Sequence, residues 1–132
     1  MNKPRGIRNN NPGNIRKTDV KWKGEVAGAD SAFETFVSMP YGYRAMIKLL
    51  QNYQKNHRLK TIRQIITRWA PPSENNTSAY ISTVSKRTGI GPDVAIDMKD
   101  RATALSVASA ISFKENGIEA DMTEIAKGWD LL

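Results

Sequence analysis

Cysteine is absent from this chain, which excludes disulfide bonds and metal sites built from thiolates. Histidine occurs once, as His57, which disfavours a histidine-rich zinc site and a Ser–His catalytic triad. No segment is apolar over the length of a membrane span, and the N-terminal residues lack the apolar stretch of a signal peptide. Glycine-rich phosphate loops, HExxH and G-x-S-x-G are missing, so nucleotide, zincin and hydrolase-elbow chemistry lack support. No metal or organic cofactor is expected.

Basic residues outnumber acidic ones, 20 to 13, and give the chain a net charge of +7. Such a charge indicates an anionic partner. Nucleic acid, acidic lipid headgroups and bacterial cell wall all qualify, and charge alone does not choose among them. The length of 132 residues fits a single domain, residues 1–132, that is large enough to bury a core.

Residues 1–38 are predicted to form strands and loops. The run RGIRNNNPGNIR contains three consecutive asparagines followed by Pro12 and Gly13, a composition that disfavours helix. A loop rich in amide side chains suits a sugar ligand, which offers paired donors and acceptors, and an ordinary turn is the alternative. Trp22, Gly24 and Val26 then indicate a short strand and turn, so this segment is expected to form a small β lobe.

About five helices are predicted after this segment, because apolar residues recur there every three or four positions. The capping boxes of Thr61 with Gln64 and of Asp121 with Glu124 mark two of the helix starts. The expected helices span 41–54, 62–69, 78–87 and 105–117, and a last one begins at 122. The predicted fold class is therefore mainly α with a small β portion.

The helix over 105–117 carries a glutamate, Glu115, in its last turn. Glu115 lies four residues after Ile111 and seven after Ala108, so it is expected to project from the buried face. Partial desolvation and the negative end of the helix dipole both favour the protonated carboxyl that a general acid requires. Glycoside hydrolysis uses such a carboxyl to protonate the leaving oxygen. The alternative is a solvated glutamate one residue off the apolar stripe.

Several stretches of the chain resemble one group of phage and prophage proteins with a lysozyme-like domain. They are RGIRNNNPGNI, an F-x-x-F pair followed by GYRAMIKLL, TIRQIITRWAPPSENNTSAYI and a late helix ending in KENG, and together they cover nearly the whole chain. The lysozyme and lytic transglycosylase superfamily places its acidic glutamate at the end of a helix that precedes a small β lobe. Here the segment similar to the β lobe comes first, so the resemblance implies a lysozyme-like fold in circularly permuted order.

The resemblance also assigns roles to individual residues. Glu115 matches the general acid, and the permuted order then requires it to face the early loop across a cleft. Three asparagines of that loop would line the β-lobe side of the cleft: Asn10, Asn11 and Asn14. Three residues would lie on the opposite, helical wall: Trp69, Glu74 and Tyr80. Core packing is the alternative for the two aromatic residues, and a solvated loop carboxylate or cap is the alternative for the glutamate.

No motif fixes a second catalytic carboxylate. Asp19, Glu25, Asp30 and Glu34 lie in or near the expected β lobe. The region around Trp22-x-Gly24 also resembles bacterial cell-wall glucosaminidases. Glu34 is expected to be peripheral, because these similar glucosaminidases carry arginine at its position. Lytic transglycosylases work with a single glutamate, since the N-acetyl group of the substrate acts as the internal nucleophile. Hydrolysis and transglycosylation therefore both stay open.

The function implied is cleavage of the β-1,4 bond between N-acetylmuramic acid and N-acetylglucosamine in peptidoglycan, by a monomer. The basic surface would hold the protein on the anionic cell envelope. Without a signal peptide, it is expected to be made in the host cytoplasm and to reach the wall through a holin lesion or with a phage particle. The main rival is a small basic nucleic-acid-binding protein, but no helix concentrates basic residues, so a nucleic-acid partner is not expected. A phage structural protein without activity is a further alternative.

Overall fold

The computed structural model describes residues 3–132, and in this range the chain forms six helices and one two-stranded sheet. The elements are α1 (Arg5–Arg8), β1 (Glu25–Val26), β2 (Thr35–Phe36), α2 (Met39–His57), α3 (Ile62–Trp69), α4 (Thr77–Thr88), α5 (Arg101–Asn116) and α6 (Met122–Asp130). The mainly α class with a small β portion is confirmed. The short helix α1 corrects the prediction of strand and loop throughout residues 1–38, of which residues 1 and 2 lie outside the described range.

Side chains at the N-caps fix where four of the helices begin. Each cap accepts a hydrogen bond from a backbone N–H of the first turn, and so satisfies a donor that the helix itself cannot pair. These caps are Thr61, Asn76, Asp100 and Asp121. Gly117 ends α5 in the left-handed conformation at φ 72°, as the sequence predicts, so that Glu115 belongs to the last turn of that helix.

Helix α2 lies at the centre of the core. Tyr43, Met46, Ile47 and Leu50 are each at most 1% exposed, and α5 and α6 pack against this helix. Gly42 in α2 is required by a close approach, because a Cβ there would lie 2.1 Å from the carbonyl oxygen of Asn10. The asparagine-rich loop is thereby held directly against the central helix.

Residues 3–38, which we call the N-terminal lobe, are mostly loop. Strands β1 and β2 pair antiparallel with Glu25 opposite Phe36, and an isolated bridge joins Arg16 to Phe33. Phe36 and Ile15 bury their side chains and attach the lobe to α2. The lobe also lies beside the C-terminal ends of α3 and α5, where Gly13 packs against Trp69 and Nδ2 of Asn116 donates to the carbonyl oxygen of Pro12. None of the helices within residues 3–132 is long and apolar enough to cross a membrane.

Candidate active site

A cleft of about 790 Å³ opens between the N-terminal lobe and the helices. Its volume lies within the range of small-molecule and cofactor sites. The lobe contributes residues 13–16, Thr18, Val20, Trp22 and Phe33. The opposite wall consists of Leu49 and Tyr53 of α2, Arg68 and Trp69 of α3, residues 70, 71, 74 and 75 after it, and Glu115 of α5.

Glu115 is half-buried at the edge of this cleft, and both of its carboxylate oxygens accept a hydrogen bond. Nδ2 of Asn14 donates to Oε1 at 2.9 Å, and the hydroxyl of Tyr80 donates to Oε2 at 2.7 Å. The contact with Asn14 joins residues 101 positions apart. The late helix and the early loop, which the permuted order places on facing sides of a cleft, therefore meet directly at Glu115.

Tyr80 supports Glu115 from inside the protein. Its side chain lies on α4, is 3% exposed, and does not line the cleft, which corrects the prediction that Tyr80 belongs to the cleft wall. Burial raises the pKa of Tyr80, and the neighbouring Glu115 raises it further. The phenol therefore stays protonated at neutral pH and remains a hydrogen-bond donor.

Two of the three predicted asparagines turn out to be structural. Asn11 is fully buried, and its Nδ2 donates to the carbonyl oxygens of Ile15 and Glu34, both at 2.9 Å. Its Oδ1 accepts from the backbone N–H of Ile15 at 2.9 Å. The prediction that Asn11 contacts a sugar is therefore wrong, because both polar atoms of its side chain are hydrogen-bonded to backbone groups of the lobe. Asn10 does not line the cleft either, and its Nδ2 donates to the carbonyl oxygen of Phe36 at 3.0 Å.

Asn14 is the asparagine that reaches the cleft. Its backbone has a φ of 50°, a left-handed conformation that asparagine tolerates better than most residues. The backbone N–H of Asn14 donates to the carbonyl oxygen of Asn11 at 3.0 Å, and this hydrogen bond closes the turn over residues 11–14. The structural role of Asn11 and the position of Asn14 are thus linked.

Trp69 and Glu74 lie on the helical wall of the cleft, where the resemblance places them. The Trp69 ring packs edge-to-face against Tyr53, with 6.5 Å between centroids. It also packs on the backbone of Gly13, since a Cβ at this glycine would lie 2.7 Å from Cζ2 of Trp69. Glu74 is exposed in the turn after α3. The structure therefore brings together Asn14, Trp69, Glu74 and Glu115.

Several cleft residues were not predicted: Arg16, Trp22, Phe33, Tyr53 and Arg68. Tyr53 continues the apolar stripe of α2, and periodicity alone assigns such a residue to the core. Arg16 and Arg68 belong to no motif that would mark them as cleft residues. Trp22 lies in the stretch Trp22-x-Gly24, whose similarity to cell-wall glucosaminidases was a usable signal.

Glu34 is peripheral to the cleft but is not an exposed residue of the lobe. It is 4% exposed, and burial raises the pKa of its carboxyl, with a further increase from the neighbouring Glu25. Glu25 in turn accepts a hydrogen bond from the backbone N–H of Trp22 at 3.3 Å. Neither of these two glutamates lines the cleft. Within residues 3–132, no three acidic or histidine side chains converge as a metal site requires.

Comparison with known proteins gives a phage relative that matches most of this chain. No protein-family model matches the chain. The chain is similar to Protein P5 of Pseudoalteromonas phage PM2, with 37% identity over 131 residues, which covers 96% of this chain and 80% of that protein. The similarity therefore includes both the N-terminal lobe and the helices.

Proposed function

We propose that the chain, which belongs to the same family as Protein P5 of Pseudoalteromonas phage PM2, is a phage glycosidase acting on peptidoglycan. Its reaction is cleavage of the β-1,4 bond between N-acetylmuramic acid and N-acetylglucosamine. The observation that carries the proposal is Glu115, a half-buried carboxyl held by two side chains at the edge of a large cleft. Glycosidases require a carboxyl of this kind beside the scissile bond.

In the proposed reaction, Glu115 acts first as an acid and then as a base. The protonated carboxyl gives its proton to the glycosidic oxygen while the bond from this oxygen to the anomeric carbon breaks. The resulting carboxylate then takes a proton from the nucleophile that attacks the anomeric carbon. Water as nucleophile gives hydrolysis, and a hydroxyl of the same sugar gives transglycosylation. The acid is regenerated in both cases.

The partners of Glu115 can hold it in both protonation states. A phenol donates to a carboxylate and can accept from a carboxylic acid after its O–H rotates, so Tyr80 fits both forms. The amide of Asn14 carries a donor and an acceptor; its Nδ2 donates to Glu115, and its buried Oδ1 has no hydrogen-bond partner within the described residues. A change of protonation therefore leaves the carboxyl in place beside the bond that it cleaves.

The cleft also offers surfaces that suit a glycan. Trp22, Tyr53 and Trp69 line it with aromatic rings, against which the C–H faces of sugars can pack. We propose that the arrangement is lysozyme-like in circularly permuted order, since the N-terminal lobe faces a glutamate near the other end of the chain. The protein acts as a monomer at the cell wall, reached through a holin lesion or with a phage particle. Its net charge of +7 favours retention on the anionic envelope.

Loss of turbidity of purified peptidoglycan tests this proposal. Glu115→Gln keeps the shape of the side chain and removes the transferable proton, so we expect activity to fall by about two to four orders of magnitude. The matched control is Glu119→Gln, which alters an exposed carboxyl just after α5 that is paired with Arg87 outside the cleft. We expect this control to retain wild-type activity. A folded Glu115→Gln protein with more than about a tenth of the activity would remove Glu115 from the mechanism.

A further inference from the structure

Two arginines line the cleft from opposite walls. Arg16 belongs to the N-terminal lobe, and its guanidinium lies 5.0 Å from the ring centroid of Phe33. Arg68 belongs to the last turn of α3, and its guanidinium lies 5.3 Å from the ring centroid of Tyr53. Both rings are themselves part of the cleft wall. Each guanidinium is therefore held at the cleft by an aromatic face.

Neither arginine is neutralised by a carboxylate within residues 3–132. The ion pairs in this range involve four other basic residues: Arg5, Lys21, Arg63 and Arg87. The cleft itself contains two carboxylates, and the oxygens of Glu115 are already occupied by Asn14 and Tyr80. Glu74, the other one, forms no ion pair with either arginine. The cleft thus presents two guanidiniums that are free to bind an anion.

We propose that Arg16 and Arg68 select a glycan that carries carboxylates, and so distinguish peptidoglycan from neutral chitin. This inference rests on the proposed function. Both polymers contain the same β-1,4-linked N-acetylhexosamine backbone, and they differ in the acidic substituent on every second sugar. A guanidinium binds a carboxylate through two parallel hydrogen bonds, whereas neutral chitin offers no such partner. The selected group is either the lactyl carboxylate of peptide-free muramic acid or a carboxylate of the stem peptide.

Binding to the inactive Glu115→Gln protein tests this selection without any cleavage. The ligands are chitotetraose, a peptide-free peptidoglycan tetrasaccharide and the same tetrasaccharide with stem peptides, each measured by titration calorimetry at low ionic strength. We expect Arg16→Gln and Arg68→Gln each to lower the affinity for at least one anionic ligand about tenfold, because a charged hydrogen bond is lost. The affinity for chitotetraose should not change. The ligand that responds identifies which carboxylate is bound.

The matched control is Arg101→Gln, which removes one exposed positive charge outside the cleft. Equal losses in this control and in the cleft variants would overturn the proposal, because net charge would then explain the binding. Equal affinity of the wild-type cleft for chitotetraose and for both anionic ligands would also overturn it. So would tighter binding of a single-stranded oligonucleotide through the same two arginines. Failure of the glycosidase proposal is recognised separately, by cleavage in the Glu115→Gln protein or by none in the wild type.

Discussion

Tyr80 and Asn14 approach the two oxygens of Glu115 from different parts of the chain, α4 and the N-terminal lobe. This arrangement makes the orientation of one carboxyl depend on the correct docking of the lobe and the helices. It also separates two kinds of residue in the site. In the proposed mechanism, Glu115 touches the substrate, whereas Tyr80 acts through Glu115 as a positioning residue.

Removal of the Tyr80 hydroxyl should lower the turnover rate more than substrate binding. Tyr80→Phe keeps the buried ring and deletes the donor to Oε2 of Glu115. A hydrogen bond to a charged group contributes about 1.5–3 kcal/mol, so we expect kcat to fall about tenfold or more. KM should change little, because Tyr80 does not line the cleft. The control is Tyr41→Phe, whose hydroxyl makes no hydrogen bond within the described residues, and a loss of equal size there would contradict the assignment.

Glu34 should make the stability of the protein depend on pH. Its pKa is raised in the folded state, so the folded protein binds this proton more tightly than the unfolded chain does. The resulting stabilisation is complete below the ordinary glutamate pKa of 4.5 and is lost as the pH rises through the raised value. Glu34→Gln mimics the protonated side chain at every pH. We therefore expect the free energy of unfolding of the variant, relative to wild type, to increase with pH in urea titrations from about pH 4 to pH 8. A difference that is constant over this range would exclude the effect.

At the scale of the elements, the early loop packs against the end of α3 at Gly13, whose backbone lies against the ring of Trp69. A Cβ at this position would lie within 2.9 Å of two atoms of the Trp69 ring. Gly13→Ala should therefore displace the ring and destabilise the protein by about 1–3 kcal/mol, the usual effect of overpacking. It should also weaken glycan binding, since Trp69 lines the cleft. Tryptophan fluorescence and urea unfolding measure both effects.

Gly91→Ala is the matched control, because its Cβ would contact only a methyl group of Val94, at 3.1 Å, outside the cleft. We expect a smaller change in stability and none in binding. Equal effects of the two substitutions on stability and binding would contradict the prediction that a Cβ at Gly13 displaces the Trp69 ring.

The helices could be predicted from the sequence because their signals are local. Periodicity and caps such as Thr61 and Gly117 depend on neighbours within one or two turns. The start of α5 was predicted four residues too late, because the first turn, Arg-Ala-Thr-Ala, contains no large apolar residue. The one-turn helix α1 was missed because three asparagines and a proline directly follow it.

The candidate site was predictable only in part, since its contacts join distant segments. Asn11 and Asn14 have the same side chain in the same loop, and only the folded chain decides which amide binds the backbone and which faces the cleft. Glu34 was expected at the periphery because the similar glucosaminidases carry arginine at its position, whereas its burial is set by contacts within the lobe, Glu25 among them. Tyr53 follows the helical stripe of the core and yet lines the cleft.

At the scale of the whole molecule, the cleft lies between two parts of the chain that fold differently. The N-terminal lobe is mostly loop and is held to α2 by close contacts such as that of Gly42, whereas the opposite wall is helical. A glycan strand lying between them would contact Glu115 and aromatic rings of both walls. In the proposed function, the helices therefore contribute the catalytic carboxyl, and both parts contribute surface that would contact the sugar.

Mass spectrometry of the fragments released from purified peptidoglycan tests the central claim most directly. General acid catalysis by Glu115 predicts glycan fragments that end at N-acetylmuramic acid, with a reducing end after hydrolysis or a 1,6-anhydro ring after transglycosylation. These fragments should be missing when Glu115→Gln replaces the wild type and present with Glu119→Gln. Release of fragments cut only at amide bonds of the stem peptide, or the same glycan fragments from Glu115→Gln, would contradict it.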